Sequence, residues 1–119
     1  MNPAPESLLP LSPAMFQVLI ALADGGKHGY AIIKEVSRRT QGEVSLSAGT
    51  LYAIIRRFEE ARVIEECAAR PSPALDDERR RYYQLTQFGR DVAQAEARRM
   101  QSALRMALAK NLILSTDSL

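Results

Sequence analysis

The stretch that decides the fold is Ser47-Ala48-Gly49-Thr50-Leu51-Tyr52-Ala53-Ile54-Ile55-Arg56-Arg57-Phe58-Glu59-Glu60. Ser47 is a hydroxyl N-cap, and Leu51, Ile54, Ile55 and Phe58 fall on one stripe when residues are placed about 100° apart around a helix. The other side carries Gly49, Ala53, Arg56, Arg57 and Glu60, with Tyr52 at the flank. A helix that reads DNA must bring its first turns close to base edges and offer donors and acceptors there. Ala48 and Gly49 permit the approach, Thr50, Tyr52 and Arg56 supply the polar groups, and the free amides of the first turn can hold a phosphate. Ser-x-x-Thr also opens many ordinary helices, and Arg56 and Arg57 also suit a plain solvated face, so the surroundings must decide. Arg57 can pair with Glu60 and is left out of the candidate contacts, which begin at Ser47.

Upstream, Ser12-Pro13 predicts a helix start with the apolar face Phe16, Leu19, Ile20 and Ala23, ended by Asp24-Gly25-Gly26. After Lys27-His28-Gly29, a second amphipathic stretch places Tyr30, Ile33 and Val36 on one side and Lys34, Glu35, Arg38 and Arg39 on others, until Gln41-Gly42 closes it. Tyr30 is expected to pack beside Ile33. Lys34 is a phosphate candidate, because the first helix of a helix-turn-helix crosses the DNA backbone. Residues 1–11, with three prolines, read as an arm lying on or off the domain.

Downstream, Val63 to Ala69 and Arg80 to Leu85 read as two strands around a long tip holding Pro71, Pro73 and Asp76-Asp77-Glu78. Alternation sends neighbouring side chains to opposite faces, so one of Tyr82 and Tyr83 should be core and the other exposed. In the cluster Arg79-Arg80-Arg81, Arg80 and Arg81 are candidates to clamp phosphates or enter the minor groove, against a plain surface pairing with the acidic tip. Thr86 caps a last helix with the apolar band Phe88, Val92, Ala95, Met100, Ala103, Leu104, Ala107 and Leu108.

The order predicts a mainly α fold with a small β-hairpin, a winged helix-turn-helix followed by a long C-terminal helix. The expected divisions are 1–11 arm, 12–85 winged domain, 86–114 dimerisation helix and 115–119 tail. The final helix is too apolar to stand alone, so Val92, Ala95, Met100, Ala103, Leu104, Ala107 and Leu108 are expected to pack on a second copy. Two recognition helices about 34 Å apart would then read palindromic double-stranded operator DNA. Alternatives are a helix folded back on its own domain, or a winged-helix protein-interaction module without DNA binding.

At 119 residues, 46% hydrophobic and 25% charged, the chain suits one globular domain. A net charge of only +2 requires any nucleic-acid contact to use a local basic face. No apolar run nears the roughly 20 residues of a membrane span and no leader pattern is visible, so a cytoplasmic location without a membrane partner is expected. One cysteine, Cys67, and one histidine, His28, make a disulfide, a metal site and a histidine-based triad improbable. His28 reads as a turn residue. Gly25-Gly26 and Gly29 lack the spacing of a phosphate loop. No cofactor, no metal and no catalysis are expected.

These pieces together resemble the PadR family of bacterial transcriptional regulators. The resemblance covers roughly Leu11 to Arg90 and rests on Lys27-His28-Gly29-Tyr30-Ala31-Ile32, Ser47-Ala48-Gly49-Thr50-Leu51-Tyr52, Phe58-Glu59-Glu60, and Arg80 through Arg90. It implies a repressor that dimerises through its C-terminal helix and releases DNA on binding a small aromatic or drug-like effector. It also implies DNA contact by Ser47, Gly49, Thr50 and Tyr52, and by Arg80 and Arg81 of the wing. Two positions depart from the family pattern. Ala53 replaces a frequent proline, so the third helix should be more regular, and Arg62 replaces a frequent helix-ending glycine at a cost of about 1 kcal/mol. With a single C-terminal helix the chain resembles the shorter members, and an effector site is expected between subunits or between the first and last helices.

Overall fold

The computed structural model describes residues 3–68 and 80–113. The first helix, α1 (Pro13–Ala21), opens as its sequence dictates: Ser12 Oγ accepts from the Met15 amide at 3.1 Å, with Pro13 where no helical amide is needed. It buries Val18, Leu19 and Ala21, followed by Leu22, whereas Phe16 and Ile20 are half-buried and Ala23 is exposed. The helix α2 (Gly29–Arg39) buries Gly29, Ile32, Glu35 and Val36. These lie at i, i+3, i+6 and i+7; Gly29, Ile32 and Glu35 each precede by one residue the expected Tyr30, Ile33 and Val36, of which only Val36 is buried. Tyr30, two residues from Ile32, is therefore rotated off the core and is 59% exposed, not packed beside Ile33. Glu35 can occupy the buried stripe because cations meet it there: Lys27 Nζ lies 3.7 Å from Oε1 and Arg39 Nε 3.2 Å from Oε2. Gln41 and Gly42 turn the chain with φ of 52° and 80°, as the closing pair requires.

The helix α3 (Ala48–Glu60) runs without interruption through Ala53. Its buried residues are Leu51, Ile54, Ile55 and Phe58. Arg62 then takes the left-handed conformation, φ 60°, and lets the Val63 amide donate back to Phe58 O at 2.8 Å. An arginine here costs about 1 kcal/mol, offset by carbonyls that the turn satisfies.

Three short antiparallel strands follow the order β1 (Lys27–His28), β3 (Tyr82–Leu85), β2 (Ile64–Cys67). In register, His28 faces Tyr82 and Cys67 faces the same tyrosine from the other edge. The central place of β3 explains a correction. Tyr82 and Tyr83 are both buried, 6% and 4% exposed, because the added strand β1 brings His28 edge-on to the Tyr82 ring at 5.2 Å. His28 thus belongs to a strand and not to a turn. Both wing strands are shorter than expected, and Arg80 and Arg81 precede β3. Pro71, Pro73, Asp76, Asp77, Glu78 and Arg79 lie outside the described residues, as does the expected tail.

The last helix, α4 (Gln87–Ala109), is bolted to the α3–β2 turn. Thr86 Oγ1 accepts from the Gly89 amide at 2.9 Å and donates to Arg62 O at 2.6 Å, while the Thr86 amide donates to Val63 O. A Cβ on Gly89 would stand 1.9 Å from Val63 O, so only glycine permits this approach. Val92, Ala95 and Glu96 continue the buried face. The expected arm lies on the domain: Pro5–Leu8 form one 3-10 turn against α4, and Leu11 enters the core. Its amide donates to Glu96 Oε2 at 2.7 Å, and Arg99 Nε donates to Oε1. The Arg99 guanidinium, aided by the Leu11 amide, holds the fully buried Glu96 carboxyl below the usual carboxylate range despite desolvation.

Candidate nucleic-acid interface

With its apolar stripe spent on the core, α3 turns Ser47, Ala48, Gly49, Thr50, Tyr52, Ala53, Arg56 and Arg57 outward, all exposed. Ser47 Oγ accepts from the Thr50 amide at 3.1 Å and donates to Thr50 Oγ1 at 3.0 Å, which leaves the Thr50 proton to serve an outside acceptor. A Cβ on Gly49 would meet nothing within 4 Å. The glycine is therefore not required by packing among the described residues.

Tyr52, 46% exposed, leans on the start of α2: its hydroxyl lies 2.7 Å from where a Cβ on Gly29 would be. From that contact the surface runs on through exposed Tyr30, whose ring lies 5.3 Å from Lys34 Nζ, and through His28, stacked loosely on Tyr30 at 6.5 Å. His28 Nε2 in turn lies 3.1 Å from Arg80 Nη1. The start of α3, the start of α2 and the foot of the wing are thus linked by side-chain contacts. Lys34, Arg80 and Arg81 are all exposed. Tyr83 beneath the wing stays a neutral phenol, its pKa raised by burial and then by the carboxylates of Glu59 and Glu66. Sequence reasoning passed over His28 and Tyr30 as surface groups. The signal was His28-Gly29-Tyr30-Ala31, in which a side-chain acceptor three residues before an amide can cap a helix.

The helix expected to dimerise divides. Val92 and Ala95, expected at a subunit contact, are 0% and 6% exposed within this chain, because the Thr86–Gly89 anchor lays the first turns of α4 on the core. Met100, Ala103 and Leu108 are exposed, and Leu104 and Ala107 half-buried, on one stripe. Met106 and Leu112 add further exposed apolar surface. Cavities flank the N-terminal segment, one between Leu9, Pro10 and Ala95, Arg98, another between Leu8, Met15 and Arg57, Phe58. Among the described residues no three His, Cys, Asp or Glu side chains could hold a metal ion, and no helix is long and apolar enough to cross a membrane.

Three helices, a small antiparallel sheet and a capped fourth helix in this order define a winged-helix protein. The chain matches the transcriptional regulator PadR-like family over residues 18–95 and belongs to that family, one of transcriptional regulators and not of enzymes. It is 33% identical over 73 residues to protein X of Lysinibacillus sphaericus, covering 61% of this chain and 64% of that protein, which is under two thirds of the relative's length. Its fold is similar to that of a PadR family transcription regulator from Clostridium difficile, with a TM-score of 0.67 and 22% identity over 82% of this chain and 97% of the other. It is also similar to Bacillus subtilis PadR in complex with operator DNA, with a TM-score of 0.59 and 16% identity over 72% of this chain and 47% of that one.

Proposed function

We propose that this chain is a dimeric, sequence-specific DNA-binding repressor that reads a palindromic operator with the exposed first turns of α3. The observation that carries the reading is the division of α3. Leu51, Ile54, Ile55 and Phe58 fill the core, while Ser47, Ala48, Gly49, Thr50, Tyr52 and Arg56 form a small-then-polar outer face. Lys34 on α2 and Arg80 and Arg81 at the wing foot would hold backbone phosphates on either side. The operator complex of Bacillus subtilis PadR supports the same use of the fold. The apolar stripe from Met100 to Leu108 is the surface on which two copies would pair. A small aromatic or drug-like effector would relieve repression by binding between the subunits, where soft side chains such as Met100 and Met106 can pack around irregular ligands.

Fluorescence anisotropy with operator and unrelated duplexes tests the reading. Affinity should fall steeply with salt, since each phosphate contact releases counterions. Thr50→Ala and Arg56→Ala should each weaken operator binding by about 1–3 kcal/mol while sparing unrelated DNA. Arg81→Ala should weaken all duplexes alike and reduce the salt slope by about 1. Affinity that stays flat across salt contradicts the proposal.

A further inference from the structure

The end of α3 carries two arginines that the DNA-facing reading does not use. Arg57 and Arg62 are exposed, Arg57 does not pair with Glu60, and among the described residues neither arginine forms an ion pair. Arg57, Phe58 and Ala61 lie at i, i+1 and i+4 on one face of the helix, and Arg62 follows in the turn. That face is hollow on both sides of Ala61. One cavity, of about 200 Å³, lies between Leu8, Met15, Arg57 and Phe58, and the other, of about 300 Å³, between Pro3, Arg62, Thr86 and Phe88. Ala61 is a wall of both. Leu8, Met15, Ala61 and Phe88 rest on the core but are only partly buried, so apolar surface stays open to the cavities. Among the described residues Arg57 and Arg62 are the charged groups at these walls, and no acidic side chain joins them. The cavity beside Ala95 differs, because Glu6 stands there with Arg98 and Arg99. A hollow with apolar walls and only cations at its rim suits an anion with an apolar body: the body leaves water, and the head meets guanidinium donors with no competing carboxylate.

We infer that the hollow at the end of α3 binds a small amphiphilic anion, an apolar body carrying one carboxylate or sulfonate, with the body lying across Ala61 and the head held by Arg57 or Arg62. The site belongs to a single chain, unlike the effector position proposed between subunits, and it depends neither on the pairing of copies nor on DNA binding. Its walls include Arg62 and Thr86, whose hydrogen bond joins α3 to α4, so an occupant touches the joint between the two helices.

The probe is anilinonaphthalene sulfonate, compared with phenylnaphthylamine, the same ring system without the sulfonate. The full chain is labelled at its methionine methyl groups and carries Met100→Lys with Leu108→Lys, which removes the exposed apolar stripe of α4 as a rival surface for the dye. Methyl NMR should show the Met15 signal moving to saturation as the sulfonate is added. The sulfonate should bind about tenfold more tightly than the neutral amine. Adding Arg57→Gln and Arg62→Gly should erase that preference and leave the affinity for the amine unchanged. Glycine suits the φ of 60° at position 62, so the second change does not strain the turn. A Met15 signal that does not move at saturating dye, equal affinity for the two probes, or a preference that survives the loss of both arginines overturns the inference. Each of these results leaves the DNA-binding reading standing, since no duplex enters the experiment.

Discussion

The two halves of α4 are one continuous helix with opposite surroundings. From Gln87 to Glu96 it is woven into the domain: Gly89 abuts Val63, Val92 and Ala95 fill the core, and Glu96 ties down Leu11. From Ala97 to Ala109 it carries Met100, Met106 and Leu108 in solvent. The first half is therefore part of the winged domain, and the second is an apolar lever fixed to it. Because Thr86 bonds to Arg62 at the end of α3, whatever covers the lever is mechanically joined to the helix proposed to read DNA.

Breaking the anchored half should cost most. Gly89→Ala forces a Cβ against the Val63 carbonyl, backbone on backbone, and is expected to lose about 3 kcal/mol in urea unfolding. A near-wild-type midpoint would show that α4 does not depend on that approach. Next is Glu96→Gln, which removes the charge that accepts from the Leu11 amide and Arg99, at about 2 kcal/mol. Because the folded carboxyl titrates below its ordinary 4.5, its contribution is fully present above that value and is lost as pH falls through the lower folded value. The stability–pH curve of Glu96→Gln should consequently be flatter than wild type below that value. Asp24, whose pKa is also lowered by its hydrogen bond to Lys27, will leave some acid dependence in both proteins.

The solvent-facing half should respond in the reverse way. Met100→Lys with Leu108→Lys is expected to change unfolding of the single chain by no more than about 0.5 kcal/mol per site. Light scattering should nonetheless show the mass falling from twice 13.2 kDa to 13.2 kDa. If the mass stays doubled, this stripe is not where copies meet.

Much of this was legible because caps and stripes are local. Ser12, Ser47 and Thr86 each place a hydroxyl three residues before an amide, and Leu51, Ile54, Ile55 and Phe58 declare their face unaided. The outer face of α3 follows from the inner one, which is why its candidate residues all emerged exposed. The errors share a non-local cause. A two-residue strand such as Lys27–His28 has no periodicity to detect, and without it β3 looks like an edge with one tyrosine outside. Glu35 looked like a solvent residue until Lys27 and Arg39 were brought to it, and that misplaced Tyr30. The choice between an arm on the domain and one off it was left open because its tether, Glu96, is 85 residues away in sequence.

The central claim is that the outer face of α3 recognises a DNA sequence. Selection of bound duplexes from a random pool tests it most directly, run with wild type and with Thr50→Ala. The account predicts that wild type enriches an inverted repeat whose half-sites lie about 34 Å apart and that Thr50→Ala degrades the consensus in both halves. A wild-type pool that remains random after repeated selection, or a consensus unchanged by Thr50→Ala together with Arg56→Ala, would contradict it.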